Sequence, residues 1–115
     1  MHRRSTPQSR FHVLLGSMVE DYIRNIRVDK AFLGADAIDL DFGISNTNVL
    51  EANVKKLLVQ AGKQVILIAD HSKLNRVALI KVCDLCDVDG IFIDKGVSEN
   101  SLDRLKKKVK KIHLA

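Results

Sequence analysis

The sequence predicts an α/β fold in which a mainly parallel, Rossmann-like sheet carries helices on both faces. The first observation is an alternation of short apolar segments with segments whose apolar residues recur at helical spacing, which is typical of strand–helix–strand units with right-handed crossovers. The second is the run Val65–Ile68, which is continuously apolar and rich in β-branched residues, like a strand buried on both faces of a parallel sheet. The third is size, because 115 residues with 46% hydrophobic and 29% charged residues suit one folded domain.

Residues 1–10 are predicted to be a flexible lead-in, because they are basic and polar and contain the only proline of the chain. A short apolar strand is expected at His12–Leu15. Ser17 has the spacing of a capping box with the glutamate three residues later, which predicts a helix through about Ile26. The domain proper is therefore expected to span residues 11–115.

The next part of the chain contains a strand, a polar loop and a well-delimited helix. Ala31–Gly34 is the second strand candidate, and the polar, glycine-interrupted stretch Asp36–Thr47 is expected to be a loop. Asn48 is a suitable N-cap with Glu51 three residues later, and apolar residues then recur at helical spacing until Gly62. The pattern predicts a helix between Asn48 and Gly62.

The C-terminal half continues the alternation. The strand Val65–Ile68 is followed by a predicted short helix over Leu74–Val82 and by a strand at Gly90–Ile93. Ser98 is expected to cap a further helix, and Lys111–Leu114 is expected to add a last strand.

Polar residues follow three of the predicted strands directly. In open α/β sheets, ligands bind beyond the carboxyl ends of the strands. We therefore expect one shared pocket at this edge, formed from Asp36 after the second strand, from Asp70, Ser72 and Lys73 after the third, and from Asp94 and Lys95 after the fourth.

Two longer segments are more informative than the periodicity. Asp29–Asp39 reads DKAFLGADAID and continues through Gly43–Glu51, and Val65–Lys73 reads VILIADHSK. Together with their spacing, these segments closely resemble the C-terminal sensor domain of DeoR-type transcription repressors, from about Met18 to the end of the chain. The pair of motifs is specific, whereas a lone Gly-Ala-Asp is not. The resemblance implies the phosphosugar isomerase-like sensor fold.

The resemblance implies a function as well. The chain is expected to be an effector-binding module that senses a sugar phosphate or a related phosphorylated metabolite and modulates DNA binding by the full-length regulator. DeoR-type repressors also carry an N-terminal helix-turn-helix domain and a Ser/Thr/Gly-rich phosphate loop, and neither is recognisable in these 115 residues. The chain is therefore expected to hold part of a sensor domain, in a homo-oligomeric cytoplasmic protein that contacts DNA only through the helix-turn-helix domain.

A sugar phosphate presents a dianion and several hydroxyls, so its site needs a cation and fixed acceptors. Lys73 is the candidate for the phosphate end, with help from the Ser72 hydroxyl. For Asn48 and Glu51, helix capping alone is an equally good explanation, and a turn-and-cap arrangement is the alternative for the Asp70–Lys73 segment. The predicted effector-binding residues are Gly34, Ala35, Asp36, Asn46, Asn48, Glu51, Asp70, Ser72 and Lys73.

The alternative function is that of a sugar-phosphate isomerase. The DeoR sensor domain is similar in turn to ribose-5-phosphate isomerase, and Asp36 and Glu51 match two acidic positions of that enzyme's pattern. The acidic position three residues before Asp36 is Leu33, and Phe42–Ser45 replaces a lysine-glycine-rich stretch. Leucine can neither accept a proton nor bind a hydroxyl. We therefore expect a sensor without catalytic residues or a cofactor.

Metal, nucleic-acid and membrane functions have weaker support. Cys83 and Cys86 are the only cysteines, and no second pair completes a four-ligand zinc site, so no metal site is expected. No apolar run approaches the roughly 20 residues of a membrane-spanning helix. The formal net charge of +5 equals the number of lysines in one C-terminal cluster, which we interpret as a solvated helix end rather than a nucleic-acid site. The cluster comprises Lys106, Lys107, Lys108, Lys110 and Lys111.

Overall fold

The computed structural model describes the backbone of residues 7–115 and the side chains of residues 16–115. It contains three α-helices, seven strands and two 3-10 turns within this range. In chain order these are α1 (Pro7–Arg24), β1 (Val28–Leu33), β2 (Ala37–Asp39), β3 (Gly43–Asn46), α2 (Val49–Ala61), β4 (Gly62–Ala69), a turn (His71–Lys73), β5 (Ile80–Cys83), a turn (Leu85–Asp87), β6 (Gly90–Ile93), α3 (Glu99–Lys106) and β7 (Lys111–Leu114).

The main sheet has four strands in the order β1-β4-β6-β7, and every neighbouring pair is parallel. Leu33 on β1 lies opposite Leu67 on β4, and Ala69 on β4 lies opposite Ile93 on β6. A second, antiparallel sheet has the order β2-β3-β5. The prediction of an α/β fold with a mainly parallel sheet is confirmed.

The core lies on one face of the main sheet. Leu67, Ile91 and Ile93 point to this face and are at most 1% exposed, and they pack with residues of the antiparallel sheet and with Leu105 of α3. The central strands therefore alternate in burial rather than being buried on both faces.

The opposite face of the main sheet is open in the described part of the chain. Phe32 on β1 is 57% exposed, Ile68 on β4 is 53% exposed and Phe92 on β6 is 37% exposed. Phe92 stacks on His113 of β7, with ring centroids 4.7 Å apart. Since parallel sheets are normally covered on both faces, this apolar surface is unusual. We call Phe32, Ile66, Ile68 and Phe92 the open face.

The N-terminal predictions need correction. The strand expected at His12–Leu15 is wrong, because these residues lie in the middle of α1. A four-residue apolar run does not distinguish a strand from one side of a helix, and here the surrounding residues continue the helix. The segment Pro7–Arg10, expected to be part of a flexible lead-in, is also helical. Residues 1–6 lie outside the described residues, and the division of the chain at residue 11 stays a prediction.

The loop expected over Asp36–Thr47 is a hairpin of two short strands, β2 and β3. Asp39 makes the turn, because its Oδ2 accepts hydrogen bonds from the backbone N–H groups of Asp41 and Phe42. Gly43 follows with a φ of 94°, and a Cβ at this position would lie 2.3 Å from the carbonyl oxygen of Cys83. The sequence pattern did not predict these strands because they are only three and four residues long and polar turn residues lie between them.

The helix predicted over Leu74–Val82 is also wrong. This segment is irregular, with Asn75 at a φ of 61°, until β5 begins at Ile80 and pairs with β3. The backbone N–H of Arg76 donates to the carbonyl of Ile38, and that of Ala78 donates to Ser45 Oγ. Tertiary pairing with the hairpin has therefore overridden the local helical pattern.

The remaining elements agree with the sequence. Asn48 caps α2 and Gly62 ends it, and Ser98 caps α3. The strand predictions for β1, β4, β6 and β7 are confirmed within a few residues at their ends. The two motifs that follow β1 and β4 are therefore attached to strands that the sequence predicts correctly.

Candidate functional site

The order of the main sheet places the carboxyl ends of β1, β4 and β6 side by side. Gly34, Ala35 and Asp36 follow β1, the turn Asp70–Lys73 follows β4, and Asp94 follows β6. Leu74, directly after the turn, forms a bridge with Ile38 of the hairpin. The two motifs that are distant in sequence therefore lie at one edge of the sheet, and a single pocket shared by their polar side chains stays a prediction.

Asp36 is held in place by Thr47. Its Oδ2 accepts hydrogen bonds from the Thr47 backbone N–H at 2.8 Å and from Thr47 Oγ1 at 2.9 Å. These bonds, above all the one from the backbone, lower the pKa of Asp36, and the nearby charges of Lys55 and Lys73 lower it further. Asp36 is therefore an ionised acceptor within electrostatic reach of two lysines that lie on different elements.

Asn46 is the most deeply buried predicted site residue, with 0% of its surface exposed. Its amide fits in two orientations, and in both the amide oxygen accepts a hydrogen bond from Lys55 Nζ, at 3.3 or 3.0 Å. The amide nitrogen donates to Glu51 Oε2 at 3.3 Å in one orientation and to the Ser45 carbonyl at 3.2 Å in the other. The hydrogen bond from Lys55 is common to both orientations of the amide.

Asn48 and Glu51 form the start of α2. Asn48 Oδ1 accepts a hydrogen bond from the Glu51 backbone N–H at 3.0 Å, so the capping explanation of Asn48 is confirmed. The Glu51 carboxylate is exposed and lies near Asn46. A role of either residue in binding an effector stays a prediction.

The segment after β4 is a 3-10 turn capped by Asp70. Asp70 Oδ1 accepts from the Ser72 backbone N–H at 3.0 Å, so the turn-and-cap arrangement considered for this segment is present. Lys73 ends the turn half-buried, and its charge contributes to the low pKa of Asp36. The capped turn therefore still leaves the charge of Lys73 close enough to affect Asp36.

His71 and Asp94 join the ends of β4 and β6, and His71 was not predicted to belong to the site. Asp94 accepts hydrogen bonds from the His71 backbone N–H and from the His71 ring Nδ1, each at 2.6 Å, and from the Gly96 backbone N–H at 3.1 Å. The backbone bond from His71 is the largest cause that lowers the pKa of Asp94. Ligand atoms of Asp70, His71 and Asp94 lie within 4.8 Å of one another, but these atoms are used in hydrogen bonds.

A cleft of about 300 Å³ opens between the end of β1 and α2. Its wall is mostly apolar, and its polar members are Glu51 and Lys55 together with the backbone of Gly34. Lys55 was missed by the sequence interpretation, although it follows Glu51 by four residues and so lies on the same side of α2. The lining residues are Phe32, Leu33, Gly34, Leu50, Glu51, Val54, Lys55 and Leu58.

Leu33, the residue that argued against catalysis, is 3% exposed and belongs to the hydrophobic core. Leu33 therefore packs in the core at the end of its strand and does not lie on the surface, where an acidic residue would be solvated.

Cys83 is also buried, and burial is the main cause that raises its pKa to about 12. A thiol with so high a pKa is unreactive, which agrees with a structural role.

These features define a small α/β domain in which polar side chains gather at the carboxyl edge of a parallel sheet. The chain belongs to the DeoR family: the family model described as the DeoR C-terminal sensor domain matches residues 6–95. The resemblance found in the two motifs is thereby confirmed.

None of the helices in the described range combines the length and the apolar character needed to cross a membrane.

Curated relatives carry the names of transcriptional regulators. The chain is 36% identical over 106 residues to a putative aga operon transcriptional repressor of Escherichia coli O157:H7, covering 92% of the chain and 38% of the relative. It is 32% identical over 101 residues to a glycerol-3-phosphate regulon repressor of Haemophilus influenzae, covering 88% and 39%. It is 30% identical over 101 residues to the HTH-type transcriptional regulator GlpR of Haloferax volcanii, covering 88% and 40%. The chain thus spans about two fifths of the length of these relatives.

Proposed function

We propose that this chain is the effector-binding part of a DeoR-type transcription repressor and that its site binds a sugar phosphate or a related phosphorylated metabolite. The observation that carries the proposal is the position of Asp36. Its ionised carboxylate lies at the edge of the sheet, within electrostatic reach of Lys55 on α2 and Lys73 after β4. An ionised acceptor together with two lysine charges suits a ligand with hydroxyls and a phosphate dianion.

In this proposal the residues of the site have three different roles, which follow from the chemistry of their side chains. Lys73 and the Ser72 hydroxyl bind the phosphate end of the effector. Asp36 and Glu51 accept from its hydroxyls, with Asn48 at the same helix start, and the fully buried Asn46 lies behind them with its amide oxygen bonded to Lys55. Gly34, Ala35 and Asp70 shape the backbone around the ligand, and no cofactor or metal takes part.

Binding regulates the full-length protein if the effector prefers one of two states of the repressor. A coupling of about 1 to 3 kcal/mol is typical for such regulation. DNA contact belongs to a helix-turn-helix domain in the longer regulator, which we propose to be a cytoplasmic homo-oligomer. One relative is named a glycerol-3-phosphate regulon repressor, which supports a phosphorylated effector.

The test is calorimetric titration of the chain with glycerol 3-phosphate and ribose 5-phosphate, and with glycerol and ribose as unphosphorylated controls. Because the phosphate loop of DeoR-type repressors is not recognisable in these 115 residues, we expect weak but saturable binding of at least one phosphorylated compound and much weaker binding of its parent. Lys73→Met should raise the Kd about tenfold or more, since hydrogen bonds to charged groups contribute about 1.5 to 3 kcal/mol. Lys106→Met, an exposed lysine on α3, is the matched control. Equal effects of the two substitutions would contradict the proposed site.

The second candidate function is sugar-phosphate isomerisation, with Glu51 or Asp36 as the base. It is favoured by the presence of two exposed carboxylates at the strand edge, and it is opposed by the apolar Leu33. Aldose–ketose exchange followed by NMR distinguishes the two functions. Exchange that disappears in Glu51→Gln supports the enzyme, whereas binding without exchange supports the sensor.

A further inference from the structure

Lys55 has an unusual environment for a surface lysine. It is half-buried on α2, one turn after Glu51, and its Nζ donates to the amide oxygen of Asn46 in both orientations of that amide. Asn46 is fully buried, so the ammonium is fixed by a neutral group that the hydrophobic core holds in place. Its position is thus defined without a partner carboxylate.

The ammonium keeps hydrogen-bonding capacity. An ammonium has three N–H donors, and among the described residues only the Asn46 bond uses one of them. Within the same residues Lys55 forms no ion pair within 4.0 Å, even though Glu51 stands four residues earlier on the helix. Because Lys55 also lines the cleft beside Gly34, its positive charge is available to a ligand there.

We propose that Lys55 is a second cationic effector-binding residue, which donates from Nζ to phosphate oxygens of the effector, and that Asn46 is the positioning residue that holds it. This inference rests on the proposed function. It adds a cation on α2 to Lys73 on the turn after β4, so that the phosphate-binding charge of the site comes from two separate elements. A phosphate dianion accepts hydrogen bonds from an ammonium and balances its charge, whereas a neutral sugar balances no charge.

The test uses the chain titrated with glycerol 3-phosphate and ribose 5-phosphate, with glycerol and ribose as neutral probes. Lys55→Met should raise the Kd for the phosphorylated probe about tenfold or more and leave the Kd for its neutral parent within about twofold. Lys56→Met is the matched control, because Lys56 is the next residue, is exposed and lies outside the cleft. Lys55→Arg should recover most of the affinity.

Lys55→Gln keeps a donor for Asn46 while it removes the charge, so it protects the test against misfolding of the methionine variant. Thermal unfolding of each variant establishes that the fold is retained. If the unsubstituted chain binds a phosphorylated probe and Lys55→Gln binds it as tightly as Lys56→Met does, the inference is wrong and the proposed function stands. If the unsubstituted chain binds neither phosphorylated probe, the proposed function fails and the inference falls with it.

Discussion

At the scale of single residues, the site depends on neighbours that its motif does not contain. Asp36 was predicted from its position after a strand, but its ionisation is controlled by Thr47, eleven residues away in sequence. Lys55 was not predicted, and its spacing from Glu51 is the only sequence signal that points to it. Contacts across a hairpin leave no fixed spacing in a sequence, so Thr47 was not predictable in this way.

The first residue-scale prediction concerns Thr47→Val. The substitution removes the hydroxyl donor at 2.9 Å but keeps the backbone donor, so the lowered pKa of Asp36 should rise toward that of an ordinary aspartate. Because the folded-state pKa is lowered, the stabilisation is present above the unfolded-state pKa and is lost as pH falls through the folded-state pKa. The variant should therefore be less stable than the unsubstituted chain near neutral pH, and this difference should shrink in acid. Carbon NMR titration of the Asp36 carboxyl checks the shift, and an unchanged pKa contradicts it.

The second residue-scale prediction concerns Leu33→Asp, which introduces an acid three residues before Asp36. Leu33 is 3% exposed, so the new carboxylate should be buried without a partner. We expect a loss of about 3 kcal/mol or more in the free energy of unfolding and no isomerase activity. Leu33→Met is the volume-conserving control, with an expected cost below about 1.5 kcal/mol. Urea denaturation measures both, and a stable, active Leu33→Asp variant would overturn our interpretation of this position.

At the scale of elements, local signals predicted the structure wherever a helix or strand carries its own start and stop. α2 has its N-cap at Asn48 and its end at Gly62, and β4 and β6 each contain an apolar run of ordinary strand length. The predictions for the hairpin and for the segment Leu74–Val82 were wrong because each of these two parts of the chain is held in its conformation by pairing with the other. Leu74 bridges to Ile38, and β5 pairs with β3 only after the chain has folded back.

The element-scale prediction separates capping from ligand binding at Asn48. Asn48→Ala removes the acceptor of the Glu51 backbone N–H and should lower the stability by about 1 kcal/mol. Asn48→Ser restores a cap and should recover most of this loss. If Asn48 also binds the effector, Asn48→Ser should retain the stability but not the full affinity for ribose 5-phosphate. Recovery of both quantities in Asn48→Ser would assign Asn48 to capping alone.

At the scale of the whole molecule, the open face is the feature that the sequence interpretation did not anticipate. The apolar run of β4 predicted burial on both faces, but within residues 16–115 only one face is covered. An apolar residue in a strand gives the same sequence pattern whether or not another element covers its side chain. The residues of a strand therefore do not predict which of its two faces another element covers.

The whole-molecule prediction concerns this open face. The isolated chain should bind the dye ANS, because contiguous exposed apolar surface is a site for such ligands. Phe92→Lys should reduce ANS fluorescence and change the stability by less than about 1 kcal/mol. Leu79→Lys is the control, since Leu79 is 76% exposed and lies away from the main sheet. Equal losses of fluorescence in both variants would show that the dye does not report on the open face.

The central claim is that a phosphorylated effector binds at the carboxyl edge of the main sheet. The most direct test is a titration of the nitrogen-15-labelled chain with ribose 5-phosphate and glycerol 3-phosphate, followed by amide chemical shifts. We predict that the largest shifts fall in residues 34–36, 46–55 and 70–73. Absence of shifts with both ligands, or shifts confined to the open face or to residues 106–111, would contradict the account.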